Sequence, residues 1–308
     1  MKPFVLTLLS LIGSLSTIPA QNLAGDMALS KILIESADWE IAAQGFGFTD
    51  GLCADAACNL FFYDLGRGTA IKRLDAAGAV TDVVTNAPKC SGLKFGPDGR
   101  LYACTQGPRK QVVAIDVTTG QLTVLADDVQ PNDLVVSRRG DVYFTETGKG
   151  QVTRVRSDRP PEAAAKGINK PNGISLSPDQ GTLVVSEYGG PHVWAYRVER
   201  DGALSAGSPY MTLRVPPGRE DSGGDGMTTD DQGRYYVTSH AGIQMFDATG
   251  RLGGVIAKPQ NKATVSVAFA GPDLRYLYVA SSDRIYRRKT QTRGVLFHLL
   301  EAPPGPRP

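Results

Sequence analysis

The chain has 308 residues, 35 of them Gly and 20 Pro, with 41% hydrophobic residues and 33 basic against 31 acidic side chains, a net charge of +2. That balance, with no basic run or basic helix, excludes nucleic acid as the main partner. The Gly and Pro content suits a turn-rich all-β chain, and the hydrophobic share is ample for one core.

Taken in chain order, Lys2, the apolar run Phe4 to Ile12 and the stretch Ser14 to Ala20 have the parts of a secretory signal peptide over residues 1–20, with cleavage after Ala20. The apolar run is too short to span a bilayer. The expected location is therefore periplasmic or secreted, with no membrane association after cleavage. The segment Trp39-Glu40-Ile41-Ala42 reads as a strand, and from Asp50 to about residue 290 the sequence repeats. Aligned on an apolar strand centre, the copies give Phe61, Tyr102, Tyr143, Val184, Tyr236 and Tyr278, in steps of 41, 41, 41, 52 and 42. A second row follows at Leu74, Ile115, Val155, Tyr196, Phe246 and Arg287.

Each copy holds short runs of β-formers, such as Leu101-Tyr102-Ala103, separated by turn sequences such as Gly96-Pro97-Asp98-Gly99. Small antiparallel sheets repeated at this period predict an all-β fold, a six-bladed β-propeller over residues 21–297. The last copy has only three strands, so the N-terminal strand at residues 39–42 is expected to complete it and hide both edges. Residues 298–308 form a Pro-rich tail, expected to be disordered. The subunit is expected to be a monomer or a weak homo-oligomer.

Cys53 and Cys58 flank the first turn of blade one, and Cys90 and Cys104 the equivalent turn of blade two. In an oxidising compartment the expectation is a disulfide within each pair, with buried free thiols as the alternative. A zinc cluster would need closer pairs or histidines, and the chain has 3 His.

Counting back 11 or 12 residues from each strand centre lands on Asp50, Ser91, Asn132, Asn172, Asp225 and Ser266. One such residue per blade, on the innermost strand, predicts a ring at one mouth of the channel. Any one of them could simply serve a turn; six in register point to a site. The set offers only oxygens, which suits a hard divalent cation, Ca²⁺ before Zn²⁺, Mg²⁺ or Mn²⁺. A second tier, Asp64, Gln106, Glu146, Glu187, His240 and Ser282, follows the next strand and should line the wall of the same mouth.

The segments Phe48-Thr49-Asp50-Gly51, Pro131-Asn132-Asp133-Leu134, Lys170-Pro171-Asn172-Gly173-Ile174, Gly224-Asp225-Gly226-Met227 and Gly271-Pro272-Asp273-Leu274 together resemble the senescence marker protein (regucalcin) and gluconolactonase family. That family consists of six-bladed propellers with one central divalent metal. The resemblance implies Asp50, Asn172 and Asp225 as metal ligands, Asp225 also as catalytic base, and Asn132 in contact with substrate. Asp50 stands where the family usually has Glu, and Gln130 where its sugar-lactone enzymes can carry Arg. Ser91, Gln130, Glu146, Glu187 and His240 complete the expected substrate contacts.

The implied reaction is hydrolysis of a small lactone, gluconolactone or a relative, in which a bound divalent ion polarises the carbonyl and activates water while Asp225 takes the proton. No Gly-x-Ser-x-Gly elbow supports a serine hydrolase. The alternatives are a non-catalytic binding propeller and a metal-free propeller of the strictosidine-synthase type.

Overall fold

The computed structural model describes residues 21–22 and 29–300. The signal-peptide segment 1–20 and most of the Pro-rich tail lie outside the described residues.

Six four-stranded antiparallel blades follow one another along the chain. Blade one is Thr49–Ala54, Leu60–Asp64, Ala70–Leu74 and Val80–Thr85, and blade two is Cys90–Phe95, Leu101–Thr105, Val112–Ile115 and Leu122–Ala126. Blade three is Leu134–Val136, Val142–Glu146, Gln151–Arg156 and Arg159–Lys166; blade four is Pro171–Leu176, Thr182–Glu187, His192–Val198 and Leu204–Thr212. Blade five is Met227–Thr229, Tyr235–Ser239, Gly242–Phe246 and Leu252–Ile256, with Gln21–Asn22 added at its outer edge. Blade six is Thr264–Ala270, Tyr276–Ser281 and Arg284–Lys289, and its fourth strand is Glu40–Gln44, which pairs Glu40 with Arg287 and Gln44 with Arg284.

Every strand centre read from the 41-residue period falls in the second strand of a blade, and every member of the second row in the third. These second strands do not alternate in burial. Leu60–Asp64, Leu101–Thr105, Val142–Glu146 and Tyr235–Ser239 are buried at every residue, because both faces of each blade are covered by its neighbours. The fourth strands end the sheets at the rim, and Val80–Thr85 is mostly exposed. The apolar side chains between blades form six clusters, one per interface, closing a circle from Phe61, Leu93 and Phe95 round to Phe62, Ala268 and Tyr278. Burying each such aromatic or Leu side chain contributes about 1.5–3 kcal/mol, so the ring of interfaces holds the blades together.

The cysteines correct the sequence expectation: Cys53, Cys58, Cys90 and Cys104 are unpaired thiols. Cys90 packs between blades one and two, and Cys104 between blades two and three. The pair therefore faces opposite sides of its own sheet. Cys53 is directly opposed by Phe61 and buried beside it, whereas Cys58 sits in the turn, its carbonyl accepting a bond from the amide of Gly271.

The segment after blade six crosses the far mouth of the channel. Its Phe297–Leu299 turn extends ordered chain into the start of the expected tail, with the His298 ring 5.7 Å from that of Phe95 and the Phe297 carbonyl accepting from Gln180 Nε2.

Candidate active site

The ring residues occupy a defect repeated in every inner strand. In blades one, two, four and six the ladder between first and second strands shifts register between Asp50 and Cys53, Cys90 and Gly92, Pro171 and Ile174, and Thr264 and Ser266. In blades three and five the strand begins only after Asn132 and Asp225, whose amides still bond the carbonyls of Thr145 and Thr238, each at 2.9 Å. A bulge re-aims a side chain that a regular ladder would send into the blade interface. Here it turns one residue per blade toward the axis. Asp50, Ser91, Asn132, Asn172, Asp225 and Ser266 all line one cavity of about 110 Å³, with Phe48, Asp133 and Val265.

The glycine that follows several of them has a separate cause. A Cβ on Gly92 would stand 2.8 Å from Asp133 Oδ1, and one on Gly173 would collide with the Asp225 carbonyl. The innermost strands of adjacent blades touch at these points, so a side chain has no room.

The six ring residues divide into two kinds. Ser91 Oγ donates to the Asn132 carbonyl at 2.5 Å and accepts from Gln106 Nε2, and Ser266 Oγ accepts the amide of Leu52 at 3.0 Å. These hydroxyls tie neighbouring blades together. Asp50 and Asp225 each use one oxygen, Oδ1, to accept the amide of the next residue, at 2.8 and 3.0 Å. Their second oxygens, and the side-chain amides of Asn132 and Asn172, have no hydrogen-bond partner among the described residues.

The cavity is short of positive charge. Burial pushes the Asp50 carboxyl up to about 8, and the charge of Asp133 adds to the effect. Asp225 is held well above the usual carboxylate range, by burial first and then by the charges of Asp50 and Asp133. Asp133 is raised by burial and restrained by Lys94, whose Nζ lies 3.9 Å from its Oδ1. A desolvated carboxylate with a free oxygen is stabilised by a cation. Among the described residues no three His, Cys, Asp or Glu side chains converge on one point. Two carboxylates with the amide oxygen of Asn172 are a donor set that hard cations accept, and the residues present fit such an ion.

The second tier is occupied elsewhere. Asp64 accepts the amides of Gly47, Phe48, Gly66 and Arg67. Glu146, 1% exposed, accepts from the Gln130 amide, Gln151 and Thr153 and pairs with Lys149 at 2.8 Å. Glu187 accepts the Asn169 amide at 2.9 Å. Gln130 is exposed and lies against Gly148, apart from the ring cavity. His240 is half-buried, its Nε2 3.0 Å from Asp221 Oδ1. Sequence reading missed Asp133, which occupies the place where four other copies have Gly, and Tyr188, which follows Glu187 and faces Asp225 from the mouth. The exception to the Gly pattern was the available signal for Asp133; for Tyr188 there was none.

Residues 48–283 match the family model described as the SMP-30/Gluconolactonase/LRE-like region. The chain is similar to the gluconolactonase of Zymomonas mobilis, at 28% identity over 67% of this chain and 65% of that protein, so it spans just under two thirds of that relative's length. It is similar to the pentonolactonase XacC of Haloferax volcanii at 26% identity, over 72% of this chain and 77% of the relative. Among solved structures, a gluconolactonase from Xanthomonas campestris superposes with a TM-score of 0.76 at 24% identity, covering 89% of this chain and 96% of that one. The calcium-binding protein regucalcin from Agrobacterium tumefaciens gives 0.70 at 17% identity, over 84% and 96%. These likenesses show the propeller fold.

Proposed function

We propose, for a chain that belongs to the SMP-30/Gluconolactonase/LRE-like family, that it hydrolyses a lactone at the polar ring. One observation carries the reading. Four ring residues, Asp50, Asn132, Asn172 and Asp225, keep unpartnered polar atoms in one cavity, while the other two are spent on structure. The relatives named gluconolactonase and pentonolactonase support a sugar lactone as substrate.

Asp50, Asn172 and Asp225 would hold one divalent cation, Ca²⁺ by the hardness of the all-oxygen set, which when bound would polarise the lactone carbonyl and acidify water. Asp225 takes a proton from the water as its oxygen adds to the carbonyl carbon. The ring C–O bond then breaks, and the proton passes to the departing ring oxygen to give the open hydroxy acid. Desolvation makes Asp225 a stronger base than an exposed Asp, and a neighbouring cation opposes that shift. Asn132 is placed to hold a substrate oxygen through its free amide. The signal pattern at residues 1–20 supports a periplasmic or secreted location for this activity.

The test is turnover of a lactone panel by purified protein, with and without chelator. Hydrolysis that is lost on chelation and restored by Ca²⁺ is the expected result. Metal-loaded protein that turns over no lactone would leave the binding propeller as the better reading.

A further inference from the structure

A side pocket of about 40 Å³ adjoins the ring cavity, with Asp225 and Val265 lining both. Its outer wall is Tyr188, His240 and Lys258, from the loops that follow the second strand of blade four and the second and fourth strands of blade five. The Tyr188 and His240 rings meet edge to face at 5.8 Å and 80°. The His240 ring rests on Gly223, at φ +60°, where a Cβ would collide with it, and its Nε2 is 3.0 Å from Asp221 Oδ1. His240 is thereby fixed in place and serves as wall.

Tyr188 and Lys258 differ from most polar groups on the wall around the ring. Asp64 accepts backbone amides, Glu146 accepts the Gln130 amide and the side chains of Gln151 and Thr153 and pairs with Lys149, one Glu187 oxygen accepts the Asn169 amide, and Lys262 pairs with Asp283 at 2.8 Å. The Tyr188 hydroxyl and the Lys258 ammonium have neither a hydrogen bond nor an ion pair among the described residues. Both are half-buried. An ammonium and a phenol held without partners beside a reacting carboxylate are donors set for an oxygen-rich group. The space admits about two or three heavy atoms, enough for a hydroxymethyl or carboxylate group and too little for a second ring or an acyl chain.

We propose that this pocket is the subsite for the oxygen-bearing exocyclic arm of the lactone, with Lys258 and Tyr188 as its donors. The assignment rests on the lactone reading of the ring and adds to it the residues that would select a lactone by its short exocyclic arm.

The experiment compares D-glucono-δ-lactone with D-xylono-δ-lactone, which lacks only the hydroxymethyl arm, as the ratio of their kcat/KM values. Wild-type protein should prefer the armed lactone. Lys258→Met should lower that ratio by about tenfold and Tyr188→Phe by about threefold, as expected for loss of a charged and a neutral hydrogen bond. Lys262→Met, which removes a neighbouring lysine already paired, should keep the wild-type ratio. Calorimetric binding of gluconate and xylonate to the same proteins reads the subsite independently of turnover. A selective loss of gluconate binding in Lys258→Met, with no lactone hydrolysed by wild type, would overturn the catalytic reading and keep the subsite. No preference in wild type, or a ratio unmoved in both variants by either measurement, would overturn the subsite.

Discussion

The two mouths of the channel are built from the same inner strands and could hardly differ more. At one, bulges aim Asp50, Asn132, Asn172 and Asp225 at the axis and leave their polar atoms unpartnered. A few residues further along the same strands, Leu52, Phe95, Val136, Met227 and Phe269 line an apolar floor covered by Val295–His298. Desolvated carboxylates weaken a fold, and buried Phe and Leu strengthen it. The polar mouth is thus retained at a cost in stability that the apolar mouth offsets, as is expected when one end serves a ligand and the other the structure.

Substitutions at the two ends should therefore separate activity from stability. The largest effect is expected at the polar mouth, where Asp225→Asn should lower kcat by about 10²–10⁴, the usual cost of a positioned base, while the melting temperature stays level or rises. Steady-state kinetics beside a thermal melt checks both halves. At the apolar mouth Phe95→Ala removes a ring that meets Phe61 edge to face and packs at a tilt against His298; a loss of about 3–5 kcal/mol is expected, read by urea unfolding, with kcat per folded molecule close to wild type.

A pH series sharpens the comparison. The Asp50 carboxyl is raised to about 8 in the folded protein, so the fold binds a proton there that the unfolded chain releases near pH 4. The stabilisation tied to that proton is complete below about pH 4 and is lost as pH rises through about 8. Chelated wild-type protein should melt progressively lower across that window, and Asp50→Asn should flatten the slope. A wild-type slope unchanged in Asp50→Asn would count against the desolvated carboxylate. The smallest effect concerns the thiols. Alkylation without reductant should modify Cys58 in native protein and all four cysteines after unfolding, as intact mass would show.

The blade count, the strand centres and the ring were legible because a period of 41 residues keeps equivalent positions in phase, whatever each side chain does. Partner choice carries no such period. Glu146 and Glu187 were legible as mouth residues, yet one oxygen of each turns back to the amide of Gln130 or Asn169, a rotamer-level outcome that spacing does not encode. Cys90 and Cys104 flank one turn as expected; the register shift between Cys90 and Gly92 breaks the simple facing relation, and the two thiols pack on opposite faces. The segment Val295–His298 belongs to no repeat, so nothing in the periodicity pointed to the floor it covers.

The strand Glu40–Gln44 that completes blade six also sets an order of assembly. It precedes every blade along the chain, and its partner Arg284–Lys289 follows five of them, so the ring closes only when the two ends of the blade array meet. Until then Ile41, which is 48% exposed even in the finished protein, lies on an unpaired strand edge. A folding chain of this protein is therefore most open to capture by chaperones, or to mispairing with a second copy, at this strand until the ring closes.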